Sequence, residues 1–266
     1  MKLKKESPLY FHPISKEYIW GSESWLLSDQ SIIANGEHQG KALKDLIHFP
    51  LLLKLIDAKE NLSIQVHPEE KNEMWYFLKP GSAYAGIKET MTNAACEKCL
   101  KKNQLKSVLN TFSLQADDSL YIPAGTVHSL LAGCYLLEVQ QNCNITYRLY
   151  DWERSRELHI QEALKLMHYH PTVEGILPPR PLKQGNGFSW EQILTTPHFT
   201  IERISTSIPW NHQSSSFEVF FLLQGEASIS LDQSREKLDH RRACLCFQGE
   251  ISITPKNPCQ FLRIIV

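Results

Sequence analysis

The sequence predicts an all-β-dominated chain built as two related β-barrels with a few short helices. Three observations predict this. Short apolar segments rich in Val, Ile, Phe, Tyr and Thr recur along the 266 residues, turn residues punctuate them, and the second half repeats a skeleton present in the first. An apolar fraction of 42% with 10% aromatic residues is enough to fill packed interiors.

In chain order, strands are expected in "LSIQVHP", "EMWYFLKPG", "SLYIPAG", "CYLLEVQQ", "ITYRLYDW", "FTIERISTSIPW", "FEVFFLLQG", "ASISLD", "ISITP" and "FLRIIV". Helical periodicity is confined to "GKALKDLI", "ACEKCLKKNQLKSVLN" and "RELHIQEALKLMHY", the last with Glu157 in its first turn and an end near His170-Pro171. The Pro/Gly-rich "HPTVEGILPPRPLKQGNG" has little periodicity and reads as a linker. The expected division is therefore an N-terminal barrel with helical insertions over 1–170, a linker over 171–187 and a second barrel over 188–266. The repeat supports it: Glu73 opens "EMWYFLKPG" as Glu218 opens "EVFFLLQG", and the spacing from Asp117 to Pro123 matches that from Gly249 to Pro255.

Charge and cysteines narrow the function classes. With 28 Lys plus Arg against 29 Asp plus Glu, the chain lacks the basic field that binding to a phosphate backbone requires, so no nucleic-acid partner is expected. A small anion needs only one or two local cations and is not excluded. Seven cysteines without a disulfide-framework spacing favour a reducing, cytoplasmic setting. The start "MKLKKESPLYF" has no apolar stretch behind its lysines and is not expected to be a secretory signal. "LIHFPLLLKLI" is interrupted by His48, Pro50 and Lys54 and is too short to span a bilayer, so no membrane partner is expected. Nothing in the sequence separates monomer from dimer.

Candidate chemistry gathers in the first barrel. Alternation along a strand puts Gln65 and His67 of "SIQVH" on one face. Glu73 opens the next strand, where a tight antiparallel connection would bring it alongside, and His128 follows in "IPAGTVH". Imidazole nitrogens and a carboxylate are ligands zinc accepts, and a Gln oxygen is a less common fourth. A single strand histidine is usually a hydrogen-bonded core residue, but four such residues on a repeated skeleton favour a metal. Cys96 and Cys99 form one CxxC without the second pair that a structural zinc site needs, and read as ordinary thiols.

The motifs "IWGSESW", "FPLLLKLIDAKENLSIQVHP", "KNEMWYFL", "YIPAGTVHSL", "LLEVQQNCNITYRLYDW" and "RELHIQEAL" occur in the order found in the type I phosphomannose isomerases, zinc enzymes of the cupin (jelly-roll) superfamily. Over about residues 8–170 the chain resembles the short bacterial form of that family. The resemblance implies one Zn2+ per chain held by Gln65, His67, Glu73 and His128, a catalytic Arg148, and Lys71, Lys54 and Glu138 in the same pocket. It also implies a sugar-phosphate substrate: mannose 6-phosphate and fructose 6-phosphate interconvert by proton transfer between C1 and C2 through an enediol. Lys71, Glu138 or a zinc-bound water could shuttle the proton, and Lys54 with Arg148 would contact substrate.

Two departures and two alternatives accompany the resemblance. Only five residues separate His67 from Glu73 where relatives carry a longer insertion, and "WGSESW" looks like two motifs fused, so loops over the pocket mouth are expected to be short. In the second barrel Trp210 and Gln260 stand where the first has Gln65 and His128, so a packed barrel without metal is expected there. A non-enzymatic cupin that binds a sugar or sugar phosphate around a structural ion is the alternative, but it would need neither Arg148 nor Lys71. A cupin oxygenase would want more histidine ligands than Gln65 allows.

Overall fold

The computed structural model describes residues 7–266, so most of the lysine-rich start lies outside the described residues. Among these residues the fold is dominated by β-structure, with two α-helices, Asn93–Lys101 and Ile160–Leu166. The strands form sheets of eight, six, five and four members, divided between two compact units. No helix of the described residues is long and apolar enough to cross a membrane.

One unit comprises residues 15–25 and 51–177. Its five-stranded sheet runs, neighbour to neighbour, through Tyr147–Tyr150, Ile64–Val66, His128–Leu130, Gly81–Ile87 and Leu109–Leu114. Its six-stranded sheet runs through Ser119–Ile122, Glu73–Phe77, Tyr135–Gln141, Leu51–Ala58, Gly21–Leu27 and Ile14–Tyr18. Trp75, Phe77, Leu120 and Leu136 of the larger sheet share one core with Ala83, Ala85, Leu114 and Leu130 of the smaller. A second core joins Ile64, Val66, Val127 and Leu149 to Ala163, Leu164 and Met167 of the second helix. Since alternate residues face opposite ways, Ile64 and Val66 turn toward the helix while Gln65 turns to the other face of the sheet.

The other unit contains the described residues up to Ile14, Leu26–Pro50 and Pro178–Val266. The strand Leu9–His12 pairs with Ala243–Cys246, with Leu9 opposite Leu245 and Tyr10 opposite Cys244. The division at residue 170 therefore differs from the observed one, because β-pairing joins segments far apart in sequence and local propensity does not name a strand's partner. The 171–187 stretch is also not simply a linker. Ile176 bridges Leu120, and Arg180–Gly185 forms an edge strand of the eight-stranded sheet.

Two helical expectations are corrected. "GKALKDLI" yields only the 3-10 turn Leu43–Asp45: Gly40 adopts φ +86°, and the amides of Gly40 and Leu43 donate to Ile33 and Ser31, folding the segment back on its preceding strand. The second helix starts at Ile160, so Glu157 lies outside it; the His159 amide donates to Arg148 O at 2.8 Å and ties that segment to a strand. Helix Asn93–Lys101 begins as its capping chemistry suggests, with the Thr92 side chain accepting from the Ala95 amide.

Gly21 is required by backbone approach. Its φ is +140°, and an added Cβ would meet Asp57 O and lie 2.9 Å from the Lys59 amide nitrogen. Gly21→Ala is expected to destabilise the protein by about 2 kcal/mol or more through strain and clash. Chemical denaturation of the two proteins measures it; an unchanged midpoint would refute the requirement.

Candidate active site

The candidate residues converge, though not by a hairpin. Gln65 and His128 are direct cross-strand partners in the five-stranded sheet, and Arg148 is the partner of Gln65 on its other side. The three therefore project abreast from one face. Glu73 comes from the six-stranded sheet, where it pairs with Ile122 and Gln140, so it meets His67 and His128 across the interior of the unit and not along a shared ladder. That corrects the expectation that a tight antiparallel connection sets it beside His67.

The two imidazoles are oriented by their far nitrogens. His67 Nδ1 is 2.9 Å from Ile145 O and His128 Nδ1 is 2.8 Å from Thr126 O. A carbonyl can only accept, so each Nδ1 carries the proton and each Nε2 presents a lone pair to the interior. Both Nε2 atoms lie 3.4 Å from Glu73, one against each carboxylate oxygen. His67, Glu73 and His128 thus offer ligand-type atoms all within 4.8 Å of one another. The Gln65 amide adjoins them, with Nε2 3.3 Å from His128 Nε2 and Oε1 accepting from Ser63 Oγ at 3.0 Å.

Glu73 is 1% exposed, and neither of its oxygens accepts a hydrogen bond. Burial, with the Glu138 carboxylate adding to it, pushes its pKa up to about 8. Burial lowers His128 to about 4 and, with the Lys71 ammonium, holds His67 well below the usual imidazole range. Lys71 Nζ lies 3.0 Å from His67 Nε2 and 3.5 Å from Glu73. Burial outweighs that last contact, so both partners of the Lys71–Glu73 pair shift toward their neutral forms.

Lys54 and Lys71 are 3% and 4% exposed, not solvated strand-end lysines. Lys54 donates to Glu138 Oε1 at 2.9 Å, and Trp75 Nε1 donates to Glu138 Oε2 at 3.0 Å. Burial alone would lower the Lys54 pKa, but the Glu138 and Glu23 carboxylates outweigh it and raise it; the same lysine, with Lys71, holds Glu138 below its ordinary value despite burial. Arg148 does not pair with Asp151. That carboxylate is taken by Arg154 and Arg156, and Arg148 Nε is buried without a partner.

Gln65, Lys54, Lys71, Glu138 and Arg148 line a cavity of about 310 Å3. The wall also carries Tyr18, Glu23, Asn144, Thr146, Arg156 and His159, polar residues to which the sequence alone gives no role. Arg156 and His159 stand within "RELHIQEAL", a segment identifiable as a motif without any sign of what it faces. Of the paired cysteines, Cys96 is buried against Met167 Sδ at 3.7 Å, and all seven are free thiols.

The counterpart in the other unit is closed by an arginine. Arg263 donates to both oxygens of Glu218 at 2.7 and 2.6 Å and to Glu202 at 2.8 Å, with Nη2 2.6 Å from His212 Nε2. Gln260, three residues before Arg263 on the same strand, faces the opposite side and donates to Ser205 Oγ.

Residues 12–95 match the family described as phosphomannose isomerase type I, catalytic domain. Mannose-6-phosphate isomerase ManA of Bacillus subtilis is 30% identical over 234 residues, covering 64% of this chain and 74% of that protein. A mannose-6-phosphate isomerase of Streptococcus mutans is 26% identical over 258 residues, covering 82% and 81% of the two chains. In fold, the chain is similar to the crystal structure of the Bacillus subtilis mannose 6-phosphate isomerase, with a TM-score of 0.87 over 98% of this chain and 100% of that one at 23% identity. A putative mannosephosphate isomerase of Archaeoglobus fulgidus gives 0.80 over 99% of each chain at 19% identity. With a 30%-identical relative covered over 74% of its length, the chain belongs to the type I mannose-6-phosphate isomerase family.

Proposed function

We propose that this protein interconverts mannose 6-phosphate and fructose 6-phosphate in the cytoplasm, with one zinc ion held by His67, Glu73, His128 and Gln65, and that its two units are jelly-roll barrels of the cupin type. The observation that carries the reading is the buried Glu73 carboxylate facing two imidazole lone pairs with no hydrogen-bond donor of its own. Such a set suits a divalent cation, since a buried charge needs a compensating one. Gln65 would take part by turning its amide so that Oε1 faces inward, Ser63 Oγ then accepting from Nε2. Lys71 would release its hydrogen bond to His67 Nε2.

A bound zinc ion would supply Lewis-acid polarisation of the substrate's carbonyl group. The chain's own groups do the remainder. Arg148, abreast of Gln65 and with its Nε unpaired, places a fixed cation beside the oxygen that gains negative charge as the C1–C2 enediol forms. Lys71, whose pKa burial holds below the ordinary lysine value, is better suited to carry the proton than Glu138, whose oxygens are held by Lys54 and Trp75. Ile56, Leu62 and Trp20 form the apolar part of the cavity wall.

Zinc-loaded protein incubated with mannose 6-phosphate is expected to form fructose 6-phosphate. His128→Ala should lose both metal and turnover, whereas Arg148→Ala should keep its metal by elemental analysis and lose about 10²–10³ in kcat. A wild type that retains zinc and binds sugar phosphate without forming ketose would favour a non-enzymatic binding protein.

Chelation should lower the melting temperature, and zinc should restore it. The effect has a pH sign. In metal-free protein Glu73 has a raised folded pKa, so its contribution is complete below its ordinary value of 4.5 and is lost as pH rises through about 8. The lowered imidazoles act oppositely, their contribution being lost as pH falls below 6.5. Between pH 6.5 and 8 the imidazoles no longer contribute to the slope, the Glu73 contribution falls with pH while the lowered Lys71 pKa acts in the opposite sense, and stabilisation by zinc should grow as Glu73 ionises. The Glu73 part is the difference in slope between wild type and Glu73→Gln in thermal melts of metal-free protein, and an equal slope in the two would refute the assignment.

A further inference from the structure

The two regions of the cavity differ in charge balance. Near the imidazoles two lysines meet three carboxylates: Lys54 bonds Glu138 and lies 3.9 Å from Glu23, and Lys71 approaches Glu73. In the other region Asp151 serves both Arg154 and Arg156, Arg154 also lies 3.5 Å from the exposed Glu60 carboxylate, and Arg148 has no ion-pair partner among the described residues. The arginines there outnumber their counter-charge.

The arrangement is also directional. Moving outward across the sheet from His128, the next strand carries Gln65 and the edge strand carries Arg148, in steps of about 4.8 Å. Beyond the edge strand the chain turns through Trp152 and Glu153, both at positive φ, and the His159 amide returns to Arg148 O at 2.8 Å. Arg156 sits in this returning segment and lines the cavity. Asp151, itself 2% exposed, fixes it by two parallel bonds, from Nε at 2.8 Å and Nη2 at 2.5 Å, leaving the Nη1 donors unengaged. Arg154 is spent elsewhere, on Asn61 O, Asp151 O and the Glu60 carboxylate as well as on the shared one, and is not in the cavity wall.

We propose that Arg156, anchored by Asp151, binds the phosphate of the substrate at the outer part of this cavity. This rests on the isomerase reading: a six-carbon sugar phosphate whose C1 and C2 lie beside Arg148 and the imidazoles carries its phosphate at the far end of its carbon chain, the direction in which Arg156 stands. A guanidinium held flat by a carboxylate suits a dianion that accepts paired hydrogen bonds. Thr146 and Asn144 in the same wall add neutral donors. The proximity of Arg156 also disfavours the Arg148 charge, after burial, a repulsion that a bound dianion would relieve.

The test uses the full-length, zinc-loaded protein. Arg156→Gln should raise KM for mannose 6-phosphate about 10- to 100-fold, the loss of a charge-assisted hydrogen bond, with little change in kcat. Arg156→Lys, which keeps the charge without the paired geometry, should fall between. Arg154→Gln removes the other arm of the Asp151 clamp outside the cavity and should leave KM near wild type. In a second arm, independent of turnover, inorganic phosphate is the probe: it should raise the melting temperature of wild type and of Arg154→Gln but not of Arg156→Gln. An unchanged KM in Arg156→Gln, or an equal rise in Arg154→Gln, would overturn the proposal, the latter because it assigns the effect to the folding of the turn. A wild type that makes no ketose defeats the isomerase reading alone, and the melting arm still decides the phosphate site.

Discussion

Burial of the Glu73 carboxylate is the constraint around which this unit is arranged. An ionised carboxylate taken out of water costs several kcal/mol unless cations or donors replace its hydration. Here both oxygens face imidazole nitrogens whose protons are held on their far sides by the carbonyls of Ile145 and Thr126. Those backbone bonds fix which atoms look inward, much as outer contacts fix the ligands of a metal centre. The Lys71 ammonium is the nearest positive group and relieves the charge only partly, because it too is buried.

The second unit meets the same demand with a different cation. Glu218 opens its strand as Glu73 does, and His212 precedes it by the interval that separates His67 from Glu73. Arg263 reaches both Glu218 oxygens and takes up Glu202 as well, with Trp190 and Trp210 each 5.9 Å from its guanidinium carbon. Bonded this way, Glu218 is held below its ordinary pKa by Arg263 in spite of burial, the opposite of what burial does to Glu73. A covalently attached guanidinium cannot exchange or open a coordination position, so it stabilises a core without supplying a reactive site.

Much of this was legible in the sequence. The alternation in "SIQVH" identified Gln65 as facing the opposite way from Ile64 and Val66, and its apolar neighbours do pack under the second helix. All ten strand segments read from composition contain strands. What the sequence concealed was partnership. Nothing local says that Leu9–His12 pairs with Ala243–Cys246, or that Glu73 approaches His67 from another sheet. Gln260 was matched to His128 by spacing, yet its side chain faces away from Arg263; a one-residue difference in register reverses a strand's faces. Arg156 carries no local signal for a related reason. Its role depends on a turn at Trp152–Glu153 and on a carboxylate that could have been assigned to Arg148.

Charge partition along the cavity has a further consequence for how an asymmetric ligand could lie in it. Near the imidazoles the carboxylates of Glu23, Glu73 and Glu138 face two buried lysines, so this region carries no surplus positive charge. At the outer region Arg154 and Arg156 share Asp151, Arg154 also reaches Glu60, and Arg148 is left without a carboxylate, so the surplus positive charge draws an anion there before shorter-range contacts form. A neutral polyol end and a dianionic end would then sort themselves between the two regions. The reverse placement would set a dianion beside Glu73 and Glu138, where like charges in a poorly solvated site repel strongly, and would leave the arginines uncompensated. Orientation follows from where the carboxylates are spent, and the short His67–Glu73 connection permits it because the determinants lie on strands and on a clamped turn.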